Sequence, residues 1–225
     1  MVQRILLGPQ SPRANLRQAV DAIGADGPVV VISAGWRDSE GDIEELREEL
    51  GRPLEDLMLY RRAEEIFSRE PELRALKRER QDQLKELQEL YRIRLTPTLT
   101  AARKLMRATT QPELLRLEQR AAIAQVRALD RHHLRRIQAI QQEFDLRRAQ
   151  LHIPAATAER EAVQRQVAEA GLVLIAGGHV AVLLNRMRLF RLGDELAKKP
   201  LIAWSAGAMA LSERIVLFHQ HAPQG

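Results

Sequence analysis

The stretch that decides the fold is Leu201-Ile-Ala-Trp-Ser-Ala-Gly-Ala208, which Pro200 introduces. Four apolar residues predict a short buried strand, and Ser205 follows them at once, before a helix of small residues. This is the form of a nucleophile elbow, a tight turn that projects a hydroxyl from the strand end and aims helix N–H groups at a reacting carbonyl. The alternative interpretation is a small-residue turn that allows close strand–helix packing.

A second strand ends upstream in a pair of glycines. Residues 172–176 form a predicted buried strand that enters Gly177-Gly178, and a helix is predicted over 180–190. A backbone N–H of this turn, free of side chains, can join the N–H of Ala206 as an oxyanion hole. The other interpretation is a tight turn that leads into the helix.

The first part of the chain alternates strand and helix signals. Strands are predicted over 2–7 and 28–32, a helix over 15–23, and a further helix start after Ser39. Another strand is predicted over 215–218. Continuous apolar runs are typical of strands buried on both faces. We therefore expect an α/β fold with a mostly parallel sheet flanked by helices, formed by residues 1–53 and 152–225.

The middle segment, 54–151, has almost no glycine and is rich in Leu, Arg, Glu, Gln and Ala, which predicts long helices. Helix starts are predicted at Pro71, Pro97 and Pro112. Apolar positions near Ile137 and Ile140 recur at heptad spacing, so we expect an inserted antiparallel hairpin or coiled coil. Leftover apolar positions, Leu129 and Leu134 among them, predict an oligomer or partner interface; the alternative is that they pack within the arm.

The amino-acid composition limits which kinds of functional site and binding partner we expect. With Cys 0, the chain has no disulfide, no cysteine ligand and no cysteine nucleophile. The net charge is +5, and residues 92–151 carry 13 Lys+Arg against 5 acids. Nucleic-acid binding is compatible with this charge but is not favoured here, because stacking aromatics are missing. We see neither a membrane span nor a signal peptide and expect a cytoplasmic protein.

The segments around 175–180, 201–208 and 217–219 together resemble the serine peptidases that include aspartyl dipeptidase and cyanophycinase. The resemblance implies the class I glutamine amidotransferase-like fold, with Ser205 as nucleophile and the Gly178 and Ala206 amides as oxyanion-hole donors. It covers 152–225 well, 1–53 loosely and 54–151 not at all. Gln220 stands near the expected triad acid. The chain ends at Gly225, before the expected histidine, which suggests a truncated form or a remnant.

The resemblance leads to a serine hydrolase that attacks an amide carbonyl of a peptide or small amide, with an incomplete triad. His219 or His221 is the internal candidate for the general base. Imidazoles of these two residues and His179 are suited to zinc, but a zinc site needs three or four convergent ligands with supporting partners, and we expect neither metal nor cofactor. Glutamine amidotransfer needs a cysteine, which the chain lacks. The alternative function is a non-catalytic scaffold or assembly protein that acts through its helical arm.

Overall fold

The computed structural model describes residues 2–12, 14–213 and 215, and the chain divides into two compact units. One unit comprises Met1–Glu70 with Ile153–Gly225, and the other comprises Pro71–His152. The helical arm predicted over 54–151 therefore begins later than expected. Residues 54–70 instead supply a strand and a helix to the first unit.

Helices and strands alternate along most of the first unit, and two long helices form the second. In chain order the elements are β1 (Arg4–Leu7), α1 (Leu16–Ile23), β2 (Val29–Ile32), α2 (Glu44–Leu50), β3 (Leu54–Asp56), α3 (Leu59–Arg69), α4 (Pro71–Arg107), α5 (Pro112–Gln150), α6 (Pro154–Glu169), β4 (Leu172–Ile175), α7 (Val180–Leu189), α8 (Gly193–Ala197), β5 (Leu201–Trp204) and α9 (Ala206–Ala210). A 3-10 turn, Ala34–Ser39, follows β2.

The five strands form one parallel sheet in the order β1-β5-β4-β2-β3. The predicted α/β class with a parallel sheet is thus confirmed. In the centre, β2, β4 and β5 are buried at every residue, as their unbroken apolar sequences require. Alternate residues face opposite sides. One side, which includes Val31, Leu174 and Ile202, forms a core with residues of α1 and α2.

The topology places a crevice between β2 and β4. From β2 the chain moves outward to the edge strand β3, whereas from β4 it moves the opposite way to β5. In open α/β sheets, ligands bind at the carboxyl ends of the strands where successive connections diverge in this manner. The turns that follow β2, β4 and β5 therefore lie at the edge of the sheet where a site is expected.

In the second unit, α4 and α5 form an antiparallel hairpin. The residue pairs that connect the two helices show this, because residue numbers rise along α4 as they fall along α5. Arg147 donates to Glu79 at 2.7 Å, and the Tyr91 hydroxyl donates to Asp130 at 2.7 Å. Nearer the connecting turn, the Gln119 amide donates to the Leu105 carbonyl at 3.0 Å.

Two details of the hairpin differ from expectation. Pro97 lies inside α4 and does not begin a helix. The nearby Thr98 hydroxyl donates to the Arg94 carbonyl at 2.7 Å, whereas the carbonyl that loses its helical donor at Pro97 is that of Ile93. Leu129, predicted to need a partner, is 6% exposed and thus already covered, whereas Leu134 is 56% exposed.

None of the described helices combines the length and apolar composition needed to cross a bilayer.

Candidate active site

Ser205 occupies a strained turn between β5 and α9. Its backbone has φ 51° and ψ −121°, a region that residues with a Cβ rarely adopt. The Ser205 N–H donates to the Leu7 carbonyl of β1 at 3.1 Å, and its own carbonyl accepts from the Met209 N–H at 3.1 Å. These bonds fix the turn at both ends. The side chain is half-buried and has no hydrogen-bond partner among the described residues.

Glycines permit close approach of the backbone at two positions around this turn. A Cβ on Gly177 would lie 3.1 Å from the Ser205 Cβ and 3.4 Å from its hydroxyl oxygen. A Cβ on Gly207 would overlap the Ile175 carbonyl and lie 2.7 Å from the Ala176 carbonyl oxygen. The end of β4 therefore presses directly against the serine turn. A side chain at Gly207 would push the two strand ends apart, whereas one at Gly177 would require Ser205 to shift by a few tenths of an ångström.

The loop after β2, which sequence reasoning missed, also belongs to this constellation. Gly35 accepts a 2.7 Å hydrogen bond from the His179 N–H, and a Cβ on Gly35 would overlap the Gly177 carbonyl. Gly178 has φ 101°, and a Cβ there would lie 3.0 Å from Trp36 Cδ1. The available signal was a repetition: Ser33-Ala-Gly35 follows β2 just as Ser205-Ala-Gly207 follows β5.

The two amides predicted to form an oxyanion hole lie in these turns. Among the described residues, neither the Gly178 N–H nor the Ala206 N–H is engaged by a carbonyl or side chain. The Ala206 nitrogen lies 3.7 Å from the position that a Gly177 Cβ would take. A carbonyl bound over Ser205 would meet a free amide donor at Ala206, which is the arrangement that acyl transfer uses.

Of the three histidines that the sequence analysis singled out, His179 lies within the described residues. The His179 Nδ1 accepts from the Val182 N–H at 3.3 Å, so this side chain caps α7. The general-base candidates His219 and His221 lie outside the described residues, as do Gln220 and the predicted strand positions 216–218. Within the described ranges, no cluster of three or more His, Asp or Glu side chains has the spacing of a metal site.

One half-buried carboxylate, Asp56, and one buried carboxylate, Glu40, hold the loop after β2. Asp56, at the end of β3, accepts from the Ser33 hydroxyl and from the N–H groups of Gly41 at 3.1 Å and Met58 at 2.9 Å. Glu40 is 1% exposed and accepts from the N–H groups at the start of α3, at 2.7 and 2.8 Å. Burial raises the pKa of both carboxyl groups, while these hydrogen bonds oppose the rise.

An open surface pocket of about 710 Å³ lies beside these carboxylates, and its lining includes Asp38, Asp42, Arg47 and Arg61. The charged groups there are largely engaged within the fold. Arg61 donates to the Glu40 carbonyl at 3.3 Å, and Arg47 donates to Glu44 at 3.0 Å. We therefore assign this region to positioning the loop after β2.

No family model, curated protein or solved structure matches the chain.

Proposed function

We propose that the protein is a serine-type hydrolase of the aspartyl dipeptidase and cyanophycinase kind, built on the class I glutamine amidotransferase-like fold. One observation carries the proposal: Ser205 keeps a φ of 51° at the carboxyl end of a central strand. A structural turn at this place would favour glycine, because glycine adopts such angles without strain. A serine there retains the strain together with a half-exposed hydroxyl, which is the arrangement of a nucleophile.

In the proposed reaction the Ser205 hydroxyl oxygen attacks the carbonyl carbon of an amide, and its proton passes to an imidazole. The negative charge on the carbonyl oxygen is met by the N–H groups of Ala206 and Gly178. Collapse of the tetrahedral intermediate breaks the carbon–nitrogen bond, and the amine leaves with the proton from the imidazolium. Water then hydrolyses the acyl-serine ester. His219 or His221 is the proposed base.

A fluorophosphonate probe tests the nucleophile. The phosphorus atom forms a bond to an activated serine oxygen as fluoride leaves, and intact mass spectrometry detects the adduct. We expect one adduct per chain, which Ser205→Ala abolishes. Ser39→Ala removes an exposed hydroxyl in the loop after β2 and serves as the matched control. Equal labelling of the Ser205→Ala variant and the unsubstituted chain would contradict the proposal.

The base is tested separately, with His219→Ala and His221→Ala. Loss of the general base slows labelling by roughly 100-fold or more, so one variant should be slow and the other nearly normal. Unchanged rates in both would remove these two histidines from the mechanism, whatever the result at Ser205.

A further inference from the structure

Positive charge is concentrated in one half of the helical hairpin. We define the tip half as residues 92–136 and the base half as 71–91 with 137–152. The tip half carries eleven Lys+Arg against three acids, a difference of +8. The base half carries seven of each and is neutral. The tip half alone therefore exceeds the +5 of the entire chain.

Within the tip half, four arginines of α5 form a single stripe. At about 100° per residue, Arg116, Arg120 and Arg131 all lie within about 40° of Arg127 around the helix axis. The row is about 22 Å long at 1.5 Å per residue, and all four residues are exposed. This arginine stripe faces away from the side of α5 that contains the buried residues Leu129 and His133.

The four arginines of the stripe form no ion pair in the described structure, although Glu113 lies one turn before Arg116 and about 40° from Arg127 on the same face. In the described part of α5, the arginines that form ion pairs are Arg147 and Arg148, both in the base half. Two acids lie between Arg116 and Arg136. Glu118 lies about 180° from Arg127 around the helix axis, and Asp130 accepts a hydrogen bond from the Tyr91 hydroxyl. A row of exposed guanidinium groups without ion-pair partners is suited to a row of phosphates, which arginine binds in a bidentate manner.

From these observations we propose that the arginine stripe binds the phosphate backbone of a double-stranded nucleic acid. A single strand is less suitable because its binding uses exposed aromatic side chains, and Tyr91, the aromatic nearest the tip half, is stacked on His133 at 4.0 Å. An anionic membrane needs one continuous apolar face beside the charges. The exposed apolar residues of α5 instead scatter around the helix, with Leu117 about 100° from Leu134.

The full-length chain is titrated against a fluorescent DNA duplex of about 24 base pairs, with anisotropy as the readout, at several salt concentrations. Four phosphate contacts predict that log K falls with log salt with a slope of about −3.6. Arg127→Gln with Arg131→Gln is expected to weaken binding about tenfold or more and to reduce the slope by about 2. Arg74→Gln with Arg78→Gln removes two exposed base-half arginines as the matched control and leaves both values unchanged.

Circular dichroism of both double variants verifies that the hairpin remains helical. The proposal is overturned if the chain does not bind the duplex at about 50 mM salt, or if the two double variants bind equally well. It is also overturned if vesicles with phosphatidylserine bind in an Arg127- and Arg131-dependent manner while the duplex does not. None of these results depends on Ser205, so the proposed hydrolase stands or fails independently.

Discussion

Replacing Ser205 by glycine and by alanine separates the strain of the elbow from the chemistry of its hydroxyl. Both substitutions remove the hydroxyl, but only glycine relieves the penalty of a φ of 51° on a residue with a Cβ. That penalty is about 1–3 kcal/mol. Glycine costs about 0.5–1 kcal/mol through the entropy of the unfolded chain. We therefore expect Ser205→Gly to be about 1 kcal/mol more stable than Ser205→Ala.

Urea unfolding monitored by tryptophan fluorescence measures this difference. The two tryptophans of the chain, Trp36 and Trp204, both lie in the α/β unit, so their signal reports on that unit. Ala168→Gly, at an exposed position in α6, is the comparator and should lose about 0.5–1 kcal/mol. If Ser205→Gly is less stable than Ser205→Ala by a similar amount, the backbone of Ser205 is not strained and the elbow argument fails. Both Ser205 variants should lose fluorophosphonate labelling.

Two further predictions, each with a control substitution, concern other parts of the structure. Gly207→Ala forces a Cβ onto backbone carbonyls and should destabilise the α/β unit by about 1–3 kcal/mol or more, whereas Gly193→Ala, with open space around it, should be neutral or slightly stabilising in the same urea assay. Burial lowers the pKa of His133 below its usual 6.5, so the unfolded chain binds this proton more readily. Stability of the hairpin should therefore fall as pH decreases below about 6.5. In thermal melts followed by circular dichroism, His133→Phe should reduce this loss, and the control His152→Gln, at an exposed position of the same unit, should not; equal pH profiles for all three chains would contradict the assignment.

Sequence reasoning located β1, β2, β4 and β5, because each contains a short run of apolar residues. In β2, β4 and β5 every side chain is buried, and an apolar run results. The strand β3 has only Leu54-Glu-Asp56 and was predicted to belong to the helical arm. It is a strand because it pairs with β2 at the sheet edge. Pairing of this kind depends on a neighbour that local composition does not reveal.

The same distinction applies to the candidate site. Ser205 and Gly177 are recognisable because each ends an apolar strand and is followed by small residues. Gly35 contributes through its contact with the Gly177 carbonyl, more than a hundred residues away in sequence. Glu40 joins the site region by accepting hydrogen bonds from α3. Both roles require knowledge of strand order, which puts the ends of β2 and β4 side by side.

The glycines around Ser205 have a common physical cause. Parallel strands bring their carboxyl ends to one edge of the sheet, and the turns after β2, β4 and β5 must share that space. Gly35 and Gly207 permit carbonyls of β4 and its turn to approach where a Cβ would overlap them, and Gly177 permits the approach to Ser205. At this meeting point Ser205 combines a Cβ, a strongly strained φ and a hydroxyl, whereas Arg37 in the loop after β2 has a similar φ of 61° and ψ of −116° without a hydroxyl. A fourth glycine would satisfy close packing alone. The proposed role of Ser205 therefore depends on its hydroxyl as well as on the strain, and the labelling of Ser205→Gly and Ser205→Ala tests it.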